Sequence, residues 1–448
     1  MAGSVSGLLS STSTGTGLGQ GIDVAQFVTL ALAGDQANIT QLQTQQTALN
    51  SQTTALSKIT TDLNNLQQTS FALGDPLGAL NALTTTSSNS GVVTATAASS
   101  ALAGTHNVTV SSLATTSSYY SNSLNPTTTL AAGSFNVQVG TGAAATVTID
   151  STNNTLAGLA EAINSKGIGV QASVISDANG SRLALVSATT GLPGDLTVSA
   201  NTTGLSFTKA VTGSNASLVV DGVPISSTSN IVSGVINGVT LNLASAQPGT
   251  PVSITTAPDT TQATAAVNTF VSAYNTAVKD INAQFAVLSD GSGGGPLEAD
   301  GSLREVQATL LAAVSYSTPG NNGAVNLASI GVNLNNDGTL SATASTLSSA
   351  LASNFSGVQN FLQATTTGFA NNLSTTITNV TDQSTGPLGL DATGISQSSQ
   401  ALSQQISDLQ AALAVKQAAL TRTYAQVNVT LQELPLLQSQ LSQQLASA

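Results

Sequence analysis

Ile406-Ser-Asp-Leu-Gln-Ala-Ala-Leu413-Ala-Val-Lys-Gln-Ala-Ala-Leu420-Thr-Arg-Thr-Tyr-Ala-Gln-Val427-Asn-Val-Thr-Leu-Gln-Glu-Leu434-Pro-Leu-Leu-Gln-Ser-Gln-Leu441 places an aliphatic side chain at every seventh residue. A companion row runs Ile395, Leu402, Leu409, reaches Lys416, then resumes one residue out of step at Tyr424, Leu431 and Leu445. A seven-residue apolar repeat keeps one face of a helix turned toward a partner helix, which is the signature of a coiled-coil seam. A continuous helix from Ile395 to the chain end would extend roughly 80 Å at about 1.5 Å per residue. Pro435 is expected to kink or interrupt it, because it lacks an N–H and crowds the preceding turn.

The opposite end of the chain carries a matching pattern. Leu42, Leu49, Leu56 and Leu63 are spaced by seven, with Ile59 and Leu66 three residues beyond two of them, inside a helix expected from about Asp23 to Leu73. Asp75-Pro76 and Gly78 end it. The C-terminal helix has only Asp408, Lys416, Arg422 and Glu433 as charges, and its flanks are Gln, Ser, Thr and Ala. Charged flanking positions normally fix partner and register in coiled coils. Their scarcity implies pairing that is permissive in both, and termini that order on assembly.

Between the two helices, period-two runs at Val92–Ala97, His106–Val110, Ser134–Val139, Thr146–Ile149, Ser217–Val220 and Val252–Thr255 read as strands. Asp177-Ala-Asn-Gly180, Gly191-Leu-Pro-Gly194, Asp221-Gly222 and Asn237-Gly238 read as turns. A short helix near Thr155–Ser165 interrupts the strands. After Pro258, helical patterns return at Ala263–Leu288, Ser302–Val314, Thr343–Asn354, Val358–Leu362 and Phe369–Val380. The expected fold is α+β and multidomain, with terminal helices forming a coiled-coil or bundled stalk and β-rich head domains inserted. The expected segments are a flexible start at 1–40, stalk at 41–83, head at 84–262, stalk again at 263–394 and a coiled-coil leg at 395–448. The head divides into 84–114 with 214–262, and 115–213. Leu42, Leu49, Leu56, Leu63, Ile406, Leu413, Leu420, Val427, Leu434 and Leu441 are the candidate interface seam.

Composition narrows the function. The 448 residues include no Cys and one His, His106, so thiolate and multi-His metal chemistry are excluded, no cofactor is expected, and an enzyme is disfavoured. The eight cations are scattered and the formal net charge is -12, which disfavours nucleic acid and anionic membrane as partners. No run of 18 apolar residues exists to span a bilayer. Met1–Gly21 has neither a cationic start nor an apolar core, so export without a cleaved signal peptide is expected. The Gly-rich stretch Asp290–Asp300 with Glu298 lacks the alternating ligands of a calcium loop and reads as a connector. Gly15-Thr-Gly-Leu-Gly19 has no preceding strand and no following Lys, and so is no phosphate loop. His106 has no carboxylate near it in sequence and reads as structural or exposed. Glu161 and Glu305 read as solvent-facing, and Tyr119-Tyr120 as a contact patch or an edge-strand pair.

Gly21-Ile-Asp-Val24 leading to Gln41-Leu-Gln-Thr-Gln-Gln46, then Val92–Ala97, Gly104–Val110 and Leu113-Ala114, resembles the flagellar filament cap family, also called hook-associated protein 2. So do Leu159-Ala-Glu-Ala-Ile-Asn164 and Gly180-Ser-Arg-Leu183, within a stretch similar to the insert that caps share with flagellins. Phe270-Val-Ser-Ala-Tyr-Asn275, Gly295-Pro-Leu297, Asp300, Leu303-Arg304, Leu327-Ala-Ser-Ile-Gly331, Asp337-Gly338, Leu340 and the closing Leu441-Ser-Gln-Gln-Leu445 follow in the family's order. The chain departs from the family in its lower charge and in Pro435. The resemblance implies a homo-oligomeric ring at the flagellar tip, outside the cell, whose heads form a plate and whose legs enter the filament. It implies flagellin as a partner, folding and inserting beneath the plate, and delivery by the flagellar export apparatus and its chaperone. Alternatives are a surface adhesin binding host glycans through the β head, and another axial protein, either flagellin-like or at the hook–filament junction.

Overall fold

The computed structural model describes residues 23–286 and 293–446. Gly15–Gly19, Met1–Gly21 and the first part of the Asp290–Asp300 stretch therefore lie outside the described residues. Among the described residues the helices are α1 (Val24–Gly74), α2 (Leu156–Ser165), α3 (Thr260–Phe285), α4 (Gly301–Val314), α5 (Ala344–Ser353), α6 (Phe355–Gln363), α7 (Phe369–Thr381) and α8 (Pro387–Ala446). The strands are β1 (Leu83–Ser87), β2 (Val93–Ala97), β3 (Gly104–Ser112), β4 (Thr116–Ser121), β5 (Gly133–Val139), β6 (Ala145–Ile149), β7 (Val170–Asp177), β8 (Gly180–Thr190), β9 (Leu196–Ser199), β10 (Phe207–Val211), β11 (Ala216–Val220), β12 (Val223–Ser227), β13 (Ile231–Ile236), β14 (Val239–Leu243), β15 (Val252–Pro258), β16 (Val332–Leu334) and β17 (Leu340–Ala342). The α+β class with long terminal helices and β-rich domains between them is as the sequence indicates.

The chain divides into two units. The β-rich unit is Ala72–Asn268 with Ala344–Gln363, so α5 and α6 lie in it although their helical pattern groups them with the stalk. Gln359 Nε2 donates to the Leu80 carbonyl at 3.0 Å and Gln363 Nε2 to the Leu73 carbonyl at 3.1 Å, closing the backbone around α6. Two apolar cores occupy this unit. In the first, sheet β1-β15-β3-β11-β12 faces sheet β13-β14-β2, and Val93, Val108, Val110, Leu218, Leu241 and Ile254 fill the space between. In the second, sheets β10-β4-β8-β7 and β6-β5-β9 enclose Phe135, Val147, Leu183, Leu185 and Leu196, with α2 laying Leu156, Leu159 and Ile163 against them. Thr155 caps α2 by accepting from the Gly158 N–H at 3.1 Å. The chain crosses from the first core to the second between β3 and β4 and returns between β10 and β11, so the second core is an insertion in the first.

The helical unit gathers α1 up to Phe71, Thr269–Thr343 and Ala364–Ala448. Its centre is aromatic: Phe270 meets Phe369 edge-on at 5.4 Å and Tyr274 at 6.4 Å, and all three are buried. The Phe270–Asn275 motif is thus a packing motif. Asn275 extends it by donating to the Leu340 carbonyl at 2.7 Å and accepting the Leu340 N–H at 2.6 Å, which ties the β16–β17 hairpin to α3. Gly338 lies at φ +80 in the hairpin turn, where Asp337 accepts from the Thr339 N–H at 3.0 Å.

Candidate assembly interface

Going up α1 means going down α8. Phe27 stacks on Tyr424 at 5.9 Å, Lys416 Nζ donates to Asp35 Oδ2 at 2.6 Å, and Ser399 Oγ donates to Asn50 Oδ1 at 3.3 Å. Eight residues forward on one helix match eight back on the other, so the two ends of the chain form an antiparallel pair. On α1, Val28, Leu32, Ile39, Leu56, Ile59, Leu63 and Leu66 are buried, and Leu42 and Leu49 are half-buried. On α8, Leu388 and Ile406 are buried, and Ile395, Leu402, Leu409, Leu413, Leu420 and Tyr424 are half-buried.

The candidate residues therefore divide. Leu42, Leu49, Leu56, Leu63, Ile406, Leu413 and Leu420 line the pairing within the chain. Val427, Leu434 and Leu441 are exposed, together with Val429, Leu436, Leu437 and Leu445. The register explains the change, because Val24, the first residue of α1, falls opposite Val427. From there α8 continues to Ala446 without a described stretch of α1 beside it. Two further points differ from the sequence reading. The helix starts at Pro387, eight residues before Ile395, with proline in the first turn where its missing N–H costs nothing. It also passes through Pro435 unbroken, since that ring removes one ladder bond from a helix held by 60 residues.

Charge is scarce along this pair, yet the seam is not free of it. Asp35 precedes Leu42 by seven and Lys416 follows Leu409 by seven, so each sits in an apolar row and each finds the other. Deeper in the bundle, Lys58 Nζ bridges Asp62 at 3.4 Å and Asp280 on α3. Burial, and then the neighbouring Asp280, push the Asp62 carboxyl above its ordinary value, while the hydrogen bond from Asp62 holds Asp280 below. The outer face of α1 is instead lined by threonines. Thr29, Thr40, Thr44, Thr47, Thr53, Thr54 and Thr61 each donate to the carbonyl four residues back, at 2.8 to 3.0 Å. The chain gains a hydrated surface without ionised groups.

The remaining candidates are in the β-rich unit or on short helices. His106 Nδ1 lies 2.6 Å from Asp221 Oδ2 across the β3–β11 pairing, so it does have a carboxylate partner, one remote in sequence. The pair edges a cleft of about 350 Å³ with walls of Leu102, Val223, Ile225 and Val235. Tyr119 and Tyr120 lie on β4, which is flanked by β10 and β8 and is not an edge strand. Lys209 sits over the Tyr119 ring at 5.7 Å and Arg182 over Tyr120 at 5.6 Å. Glu161 and Glu305 are exposed. Among the described residues no group of three or more His, Asp and Glu could hold a metal ion, and no helix is long and apolar enough to cross a membrane.

Residues 20–117 match the N-terminus of flagellar hook-associated protein 2, and residues 213–435 match its C-terminus. The B-type flagellar hook-associated protein 2 of Pseudomonas aeruginosa is 32% identical over 413 residues, spanning 85% of this chain and 86% of that one. The chain belongs to the flagellar hook-associated protein 2 family. The Escherichia coli K12 member is 26% identical over 370 residues, covering 76% of this chain and 78% of that one. The crystal structure of the D1-D2-D3 domains of the flagellar cap protein FliD from Escherichia coli superposes with a TM-score of 0.56 at 26% identity, over 76% of this chain and 99% of that one. The Phe270–Asn275, Leu327–Gly331 and Leu340 stretches fall within the range matched to the family's C-terminus, and in this chain Phe270, Tyr274 and Asn275 build the aromatic bundle core and tie the hairpin to it.

Proposed function

We propose that this chain is the filament cap of a bacterial flagellum, a structural assembly factor that sits at the distal tip outside the cell. Family membership along most of the chain supports the cap role. The single observation that carries the mechanism is the run of exposed leucines on α8 beyond the point where α1 begins. Aliphatic side chains in a seven-residue row gain by docking against a neighbour's helix, and each buried leucine is worth roughly 1.5–3 kcal/mol. Several such contacts hold a leg in place while individual ones exchange, which suits a cap that advances as subunits are added.

On this reading several copies form a ring, the β-rich units make the plate, and flagellin folds and inserts beneath it after passage through the flagellar export apparatus, with a chaperone covering the exposed row beforehand. The role is structural and non-catalytic, in keeping with family membership. Nothing observed favours adhesion to glycans over this.

The test is truncation of the chain after Arg422 in a cell that lacks the full-length protein. Loss of filament growth, flagellin released to the medium, and absence of rings by electron microscopy of the purified truncated protein are the expected results. Normal filaments from the truncated protein would rule the proposal out.

A further inference from the structure

Two carboxyl groups meet where α8 enters the bundle, and no cation stands between them. Asp391, in the second turn of α8, faces Asp300, the residue that caps α4 by accepting the Leu303 N–H at 3.0 Å. Asp391 Oδ2 is buried with no hydrogen-bond partner among the described residues. A carboxylate oxygen in that position is costly, whereas a carboxylic acid that donates its proton to Asp300 places only a neutral group there. The surrounding charges are engaged elsewhere. Arg304 of α4 lies over the Phe285 ring at 4.4 Å and donates to the Glu298 carbonyl, and Glu305 is exposed. α7, which also packs on α8, has no charged side chain, and Asp382 beyond it accepts from the Ser384 and Thr385 N–H groups. Lys58, Asp62 and Asp280 are bound to one another.

The same turns of α8 face open space on their other side. Leu388, Gly389, Ala392, Thr393 and Ser396 border an open groove of about 680 Å³ against Leu56, Thr60 and Asn64 of α1. That side of the helix is left open, so its seating rests on the side packed against α4 and α7.

We propose that Asp391 and Asp300 share a proton and act as a pH-sensitive latch, closed in mild acid and loosened at neutral pH, that controls how firmly the first turns of the leg helix are bound to the bundle. Burial, and then the Asp300 carboxylate, raise Asp391 to about 6. A raised acid binds its proton more tightly in the folded chain than in the unfolded one, so the stabilisation is complete below the ordinary carboxylate range. It is lost as pH rises through about 6. The largest effect is about a hundredfold in the closing equilibrium, less for the part of the side chain that water reaches.

The experiment uses the full chain. Hydrogen exchange of residues 387–397, corrected for intrinsic rate, and helix melting by circular dichroism are followed from about pH 4.5 to about pH 7.5, a window that spans the Asp391 titration. In the unaltered protein both protection and melting temperature fall across the window. Asp391→Asn donates permanently to Asp300, so both should become flat and stay at the acid value. Asp300→Asn still caps α4 and removes the neighbouring carboxylate while Asp391 stays buried, so it should shrink the slope without abolishing it, which decides the matter if the first variant folds poorly. A pH slope that persists unchanged in both variants would overturn the proposal, as would protection of 387–397 that rises with pH in the unaltered protein.

Discussion

Replacing Leu434 and Leu441 with Gln separates assembly from folding. The two side chains retain 43% and 61% of their surface exposed in the single chain, together about one leucine's worth of area. Covering that area on docking is worth about 1.5–3 kcal/mol, or roughly ten- to 150-fold in each association constant. Glutamine has nearly the same helix propensity as leucine, so the helix itself should change by less than about 0.5 kcal/mol. Sedimentation velocity across a concentration series reads the association, and circular dichroism melting reads the fold. The expected result is an oligomer that dissociates at concentrations at least tenfold higher, with an unaltered melting curve. Unchanged association would refute the assignment of this row to an interface, and so would a melting loss as large as that of a buried leucine.

Leu63→Ala is the contrasting change: that side chain is fully buried, and its loss should destabilise the helical unit by about 2–5 kcal/mol, measured by chemical denaturation. Lys416→Ala should cost less than about 1 kcal/mol, since both partners are half in water, and the cost should shrink further when the melt is repeated at high salt. In the second β core, burial pulls the Asp195 carboxyl upward, but Lys209 at 2.7 Å and the Gly213 N–H at 2.8 Å outweigh it and leave it below the ordinary value. Its contribution is therefore present above the carboxylate range and lost as pH falls through the lowered value, and Asp195→Asn should blunt the acid unfolding of the β-rich unit followed by tryptic digestion. Gly238→Ala puts a Cβ 2.5 Å from the Ala101 nitrogen at φ +71 and should destabilise the β13–β14 hairpin by more than about 1 kcal/mol, visible as a lowered denaturation midpoint.

Much of this was legible because its signals are periodic. The rows at Leu42–Leu63 and Ile406–Leu420 identified both helices and the side each turns inward. The turns at Asp177–Gly180 and Asn237-Gly238 mark the β7–β8 and β13–β14 hairpins. The antiparallel register was less visible, since it is set by pairs more than three hundred residues apart. Asp35 and Lys416 did carry a readable signal, each being the single charge in its apolar row. His106 with Asp221 and Asp391 with Asp300 had no such signal, because those contacts arise from sheet pairing and helix docking between remote segments. Val427, Leu434 and Leu441 continue the same sequence row as Ile406, yet only the register reveals that they lie beyond the described start of α1.

The Asp35–Lys416 contact gives the antiparallel helix pair a detent. Sliding one helix by a heptad, about 10 Å, leaves most of the seam apolar against apolar. It moves the two opposite charges farther apart than the screening length of physiological salt, about 8 Å. One alignment is thereby preferred over its apolar neighbours by a few-fold in population, a shallow index on an otherwise repeating track.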